Sequence, residues 1–189
     1  MINDINPEDL YVAYSLESVS LGSRPAVRRV LSDLRNCFAD TEAYEHQLAH
    51  EDPLLYEVTA VEPASGDGQL HYGLGILQPG KVGDEYYFTK GHYHSYRQAA
   101  EVYVGLKGTG AMLLEDEATG ESRLVPLHAN CAVYVPGRTA HRTVNTGKEP
   151  LVYLGIYPSN AGHDYQAIAE KNFKMLVVER DGKPELIKR

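Results

Sequence analysis

From residue 54 onward the chain is a succession of short runs in which apolar residues alternate with polar ones or stand together. These runs are LLYEVTAV (54–61), LHYGLGILQ (70–78), EYYFT (85–89), EVYVGL (101–106), GAMLLE (110–115), CAVYV (131–135), HRTVN (141–145) and LVYLGIY (151–157). They are rich in Val, Tyr and Leu, and Gly, Pro, Asn or Asp breaks the gaps between them. About eight such strands at close spacing predict an antiparallel sandwich or barrel of the jelly-roll group. The first 50 residues look locally helical: 24–38 is mixed, and Thr41 caps a short helix running to His50, which Pro53 stops. A last helix is expected over 163–171, followed by a strand over 173–179 and a turn at Asp181 and Gly182. The fold class is therefore all-β with short flanking helices. The whole of 1–189 reads as a single domain, with an arm and short helix (1–53), a β-barrel core (54–160) and a terminal helix and strand (161–189).

Composition narrows the functional classes. A chain of 189 residues can bury a substantial core, and 43% hydrophobic with 23% charged residues describes a globular protein. The 14 tyrosines, against no tryptophan, sit largely in the apparent strands, where an aromatic body and a wet hydroxyl suit a half-buried sheet. A net charge of −8 argues against nucleic acid as partner. It does not argue against an anionic substrate, because a bound cation can dominate the local field. The start of the chain has neither a basic stretch nor an apolar run, and no segment approaches the roughly 20 apolar residues that span a bilayer. A cytoplasmic protein with no membrane partner is expected. Cys37 and Cys131 lie far apart, outside any CxxC pattern, and are read as reduced thiols.

The chemistry concentrates at Gly91-His92-Tyr93-His94 and at Glu101 seven residues further on. On a strand, residues i and i+2 share a face, so His92 and His94 are expected to project together. A six-residue loop, 95–100, then opens a new strand at Glu101, whose carboxylate can meet the two imidazoles. A third imidazole comes from PGRTAH, in which His141 opens another strand after a proline-glycine turn. Three imidazoles and a carboxylate suit a borderline divalent ion, with room left for water or substrate. Alone, an HxH pair is weak. Joined to the spaced Glu101, the glycines at 105, 108 and 110, and the P-(x4)-H-(x3)-N run ending at Asn145, it is specific.

These two segments resemble the two cupin motifs, with two departures. Six residues rather than three or four separate His94 from Glu101, and Asn130 stands where the second motif opens with glycine. Asparagine tolerates positive φ, so the turn survives. The longer spacer, with FTKGHYH, AEVYVGLKGTGAMLL, VPGRTAHRTVN, AGHDY, EDPLLYEV and QPGKVGDEYYFTKGH, closely resembles the cupin-type glucose-6-phosphate isomerases of archaea and some bacteria. The likeness runs from about Arg24 to about Glu179.

The resemblance implies interconversion of D-glucose 6-phosphate and D-fructose 6-phosphate in glycolysis and gluconeogenesis. It implies one divalent ion per subunit on His92, His94, Glu101 and His141, with Fe²⁺ the first choice and Mn²⁺, Ni²⁺, Zn²⁺ or Co²⁺ as others. It further implies a homodimer. Glu101 is the catalytic candidate, as ligand and proton shuttle in a cis-enediol route, and a direct hydride shift is the competing route. Thr89 and the Gly91 N–H are placed to hold the phosphate, and Tyr157 and His163 match substrate-binding positions. Tyr103 lies on the strand face of Glu101, and His163 reads equally well as a cap of the helix it precedes. Gly75 stands where some members carry threonine. His46, His50, His71 and His128 fit no ligand spacing, and Arg97 and Lys90 read as solvated cations. Another metal-dependent cupin, such as an oxygenase, and a non-catalytic sugar-binding cupin remain as alternatives.

Overall fold

The computed structural model describes residues 5–16, 20–22 and 24–189. In chain order it forms α1 (Pro7–Leu10), β1 (Tyr14–Ser15), β2 (Ser20–Leu21), β3 (Val27–Val30), a 3₁₀ turn (Leu31–Leu34), α2 (Thr41–His50), β4 (Leu54–Val61), β5 (Leu70–Leu77), β6 (Lys81–Val82) and β7 (Glu85–Tyr86). There follow β8 (Glu101–Lys107), β9 (Thr109–Asp116), β10 (Ser122–His128), β11 (Ala132–Val135), β12 (Thr139–Val144), β13 (Leu151–Pro158), α3 (Gln166–Lys171), β14 (Met175–Arg180) and β15 (Lys183–Lys188). The strand pairs are antiparallel.

Two sheets make the sandwich. One runs β11-β8-β13-β5-β4-β3 and the other β10-β9-β12, and the main core lies between them. That core includes Leu55, Leu77, Leu113, Leu127, Val133 and Leu151. The other face of the six-stranded sheet is buried too: Val61, Leu74, Ile76 and Val152 pack with Leu21, Val12 and Leu16 from the N-terminal segment. Burial on both faces explains why β5 and β13 read as nearly unbroken apolar runs rather than strict alternation.

The expected strands between 54 and 157 appear, with shifted ends. The run 85–89 is a strand only to Tyr86, after which Phe88 makes an isolated bridge to Val144. The N-terminal 50 residues are less helical than expected: β3 pairs with β4 and extends the large sheet, so the β-core begins before residue 54. Asp40, not Thr41, caps α2, its side chain accepting from the Ala43 N–H. At the other end α3 starts at Gln166 rather than 163, and the last strand becomes a β14-β15 hairpin through Asp181 and Gly182, both at positive φ. Asn130 takes a φ of +66°, the conformation its place in the motif demands.

Candidate metal centre and substrate cavity

The site is assembled by the segment that carries the first two histidines. Residues 88–93 run beside β12: Thr89 N–H donates to Thr143 O, and His92 and His141 exchange both backbone hydrogen bonds at 3.2 and 3.1 Å. On its other side, Tyr93 exchanges backbone bonds with Asp164. His92 and Tyr93 are thus held by single bridges rather than by a regular strand, and His94 follows them directly, yet the two imidazoles still converge.

Gly91 makes that approach possible. Its φ is +77°, and a Cβ there would meet Phe173 Cε2 at 2.7 Å and His141 O at 3.1 Å. No side chain fits. Glu101 is the first residue of β8 and pairs with Val135, which brings its carboxylate under the imidazoles.

The donor atoms of His92, His94, Glu101 and His141 lie within 4.8 Å of one another, and all four residues are buried. Glu101 Oε2 is 3.2 Å from both His94 Nε2 and His141 Nε2. Backbone carbonyls orient two of the rings: His94 Nδ1 lies 2.9 Å from Ala99 O and His141 Nδ1 3.1 Å from Thr139 O. A proton on each Nδ1 leaves Nε2 as the coordinating atom. The long spacer earns its extra residues here, since its Ala99 supplies the carbonyl for His94. Arg97, read as a solvated cation, braces the same loop by donating to His94 O, Asp164 and Glu117.

Two buried atoms, His92 Nε2 and His141 Nε2, have no hydrogen-bond partner among the described residues. Left unpaired, such groups cost free energy. Two orphaned imidazole nitrogens beside a third imidazole and a carboxylate fit a divalent cation. Burial pushes His92 well below the ordinary histidine value, so it stands ready as a neutral ligand. At His94 burial also opposes the charge, but the hydrogen bond that the ring donates to Glu101 overcomes it and raises the ring. Burial works against the Glu101 charge too, yet His141 and His94 prevail and hold its carboxyl down to about 2.

Beside this cluster opens a cavity of about 320 Å³. Its wall includes Thr89, Gly91, His92, Glu101, Tyr103, Tyr157 and His163, so the structure brings the expected site residues to one space. His94 and His141 sit behind that wall. The His163 ring stands 4.5 Å from the His92 ring and 5.7 Å from that of Tyr157. His163 caps no helix: the N-cap of α3 is Tyr165, and it is Asp164 that accepts from the Ala167 N–H. The Gly91 N–H finds no acceptor among the described residues. The Thr89 hydroxyl oxygen accepts from the Thr143 N–H at 3.0 Å, which leaves its own proton to donate. The cavity also holds residues that the sequence did not point to: Arg29 on β3, Tyr56, Tyr153 and Tyr165; Lys90, read as a solvated cation, lines it too, between Thr89 and Gly91. A correct assignment of β3 would have signalled Arg29.

A two-sheet jelly roll with this buried cluster of three histidines and a glutamate has the cupin fold. An oxalate oxidase in complex with the substrate analogue glycolate shares the fold at a TM-score of 0.50 and 15% identity, over 60% of this chain and 56% of that one. More specifically, the profile of the family glucose-6-phosphate isomerase (GPI) matches residues 28–188. The glucose-6-phosphate isomerase of Pyrococcus abyssi is 49% identical over 166 residues, 88% of this chain and 87% of that one. That of Pyrococcus horikoshii is 48% identical over 181 residues, 95% of each chain. The chain belongs to the glucose-6-phosphate isomerase family of enzymes. Among the described residues no helix is long and apolar enough to cross a membrane.

Proposed function

We propose that the chain interconverts D-glucose 6-phosphate and D-fructose 6-phosphate with one divalent ion held by His92, His94, Glu101 and His141. The observation that carries this reading is the convergence of His92 Nε2 and His141 Nε2, without hydrogen-bond partners among the described residues, on the Glu101 carboxylate beside a cavity that Thr89 and Gly91 line. When bound, such an ion supplies Lewis-acid polarisation of the C1 and C2 oxygens and offsets enediolate-like charge.

The chain's own residues do the rest. The Thr89 hydroxyl and the Gly91 N–H hold the phosphate, and their place next to His92 in the chain puts the far end of an open-chain sugar near the ligand cluster. Tyr103, Tyr157 and His163 line the path and bind the sugar hydroxyls. Burial pushes Tyr157 up to about 12, so it stays a neutral donor and acceptor at physiological pH.

Glu101 is placed to move the proton. Its Oε2 faces the imidazoles, while Oε1 lies against Gly155, a residue of the cavity wall. Taken from one carbon by Oε1 and returned to the next on the same face, a proton completes a cis-enediol route. A hydride shift, with Glu101 as ligand only, is favoured by one observation: a carboxyl held down to about 2 is a weak proton acceptor.

The test is a coupled assay on fructose 6-phosphate before and after chelation, with Fe²⁺, Mn²⁺, Ni²⁺ or Zn²⁺ restored. Activity lost on chelation and regained with an ion is expected; full activity after chelation refutes the ligand set. Run in D₂O, proton shuttling by Glu101 places solvent deuterium in the product, and Glu101→Gln abolishes turnover while retaining some ion. Product free of deuterium assigns the hydride shift instead.

A further inference from the structure

Gly75 sits in the middle of β5, between Tyr153 on β13 and Val58 on β4. Glycine in a central strand weakens it, and its presence there usually marks the close approach of another group. That group is Tyr153. A Cβ on residue 75 would lie 2.3 Å from Tyr153 Cζ and 2.5 Å from its hydroxyl oxygen, so a side chain at 75 and this tyrosine exclude each other.

Tyr153 is buried, with its ring 5.4 Å from that of Tyr103, and it lines the cavity together with Gly75, Thr89, Lys90 and Gly91. It shares that wall with the expected phosphate donors. Thr89 Oγ1 is fixed there by the Thr143 backbone N–H, while the Thr143 hydroxyl donates to Met112 Sδ. Two hydroxyls, from Thr89 and Tyr153, therefore belong to one cavity wall. Burial pushes the Tyr153 phenol upward, which keeps it neutral. A neutral phenol has a proton to donate. A phenylalanine would fill the same space without burying a hydroxyl, so packing alone does not call for the oxygen.

We propose that Tyr153 binds substrate: seated over Gly75, its hydroxyl donates a hydrogen bond to the sugar phosphate beside Thr89 and the Gly91 N–H. The pair Gly75 and Tyr153 thus determines how this chain grips the anion. The inference rests on the isomerase reading. Isomerisation of fructose 6-phosphate by the unmodified chain, measured alongside, tests that reading separately.

Tyr153→Phe is the direct test. The KM for fructose 6-phosphate and the inhibition constant of inorganic phosphate should both rise about tenfold, the size of a lost hydrogen bond to a charged group. Turnover should fall much less, and Mn²⁺ affinity should hold, which a general collapse of the site would not allow. Both constants unchanged would overturn the proposal. A swap supplies the second reading: Tyr153→Leu opens space over residue 75, and Gly75→Thr in that background returns a hydroxyl. Phosphate inhibition should tighten in the double variant relative to Tyr153→Leu alone, and no tightening also overturns the proposal.

Discussion

Arg142, the residue after the proposed ligand His141, is fully buried, and its guanidinium lies 4.1 Å from the ring centroids of both Phe88 and Phe173. Its Nη2 donates to Lys90 O at 2.9 Å and to Asn172 Oδ1 at 3.4 Å, while its Nε has no partner among the described residues. Desolvation pulls its pKa down to about 10, a sign of what burying this cation costs. The bond to Lys90 ties down the strip that presents Thr89 and Gly91. Each desolvated cation–π contact is worth about 2 kcal/mol and the charge-assisted hydrogen bond about 2 kcal/mol, roughly 6 in all. Relief of the buried charge returns several of these, leaving a net loss of about 3 kcal/mol for Arg142→Met. For a chain of this size that corresponds to a Tm lower by about 10 °C. Calorimetry reads the Tm, and the fructose 6-phosphate assay reads the freed Lys90–Gly91 strip as a higher KM. Arg142→Lys should do no better than methionine, because an ammonium neither stacks flat between two rings nor matches the guanidinium fork. A lysine variant with unaltered Tm and KM would refute the role of the stack.

The other predictions concern the ligand cluster. His94, raised above the ordinary histidine value by Glu101, holds more tightly the proton that ion binding must displace; ion uptake should therefore release protons and weaken as pH falls. Calorimetric titration in two buffers of different ionisation enthalpy measures this, and proton-free uptake between pH 6 and 8 would contradict it. The chelated protein should lose stability in two stages on acidification. His92, depressed by burial, contributes stability above pH 6.5 that is lost as pH falls below that value, and Glu101 contributes a share lost between 4.5 and about 2. His94 has the opposite sign, adding stability as pH falls towards 6.5 and so before the first stage; a Tm flat from pH 7 to pH 4 would count against the assignment. Gly91→Ala forces a side chain into positive φ, at about 1–2 kcal/mol, and against Phe173 and the His141 carbonyl. Lower ion affinity and lower Tm should appear together, and wild-type values for both would show that the strip accommodates a Cβ.

What was legible in the sequence had a period or a short spacing behind it. The runs from 54 to 157 announced strands, and His92, His94 and Glu101 announced a cluster because few residues separate them. The missed strand β10 shows the limit of that signal: it is an edge strand, mostly solvent-facing, with Pro126 inside it, which is where proline is tolerated and where alternation fades. β3 is short, and two of its four residues are arginines, so Arg29 stayed hidden as a cavity residue. Arg142 reads as one more surface cation until β12 and the terminal segment bring Phe88 and Phe173 to its two faces. Gly75 and Tyr153 are the sharper case. Each is an ordinary residue of its strand, and only the register of β5 on β13 sets them opposite each other. A one-residue slip would turn Tyr153 away from the cavity and leave Gly75 without a reason. Cross-strand register is a property of the whole sheet, so the residues that tune the site are those that no local pattern could disclose.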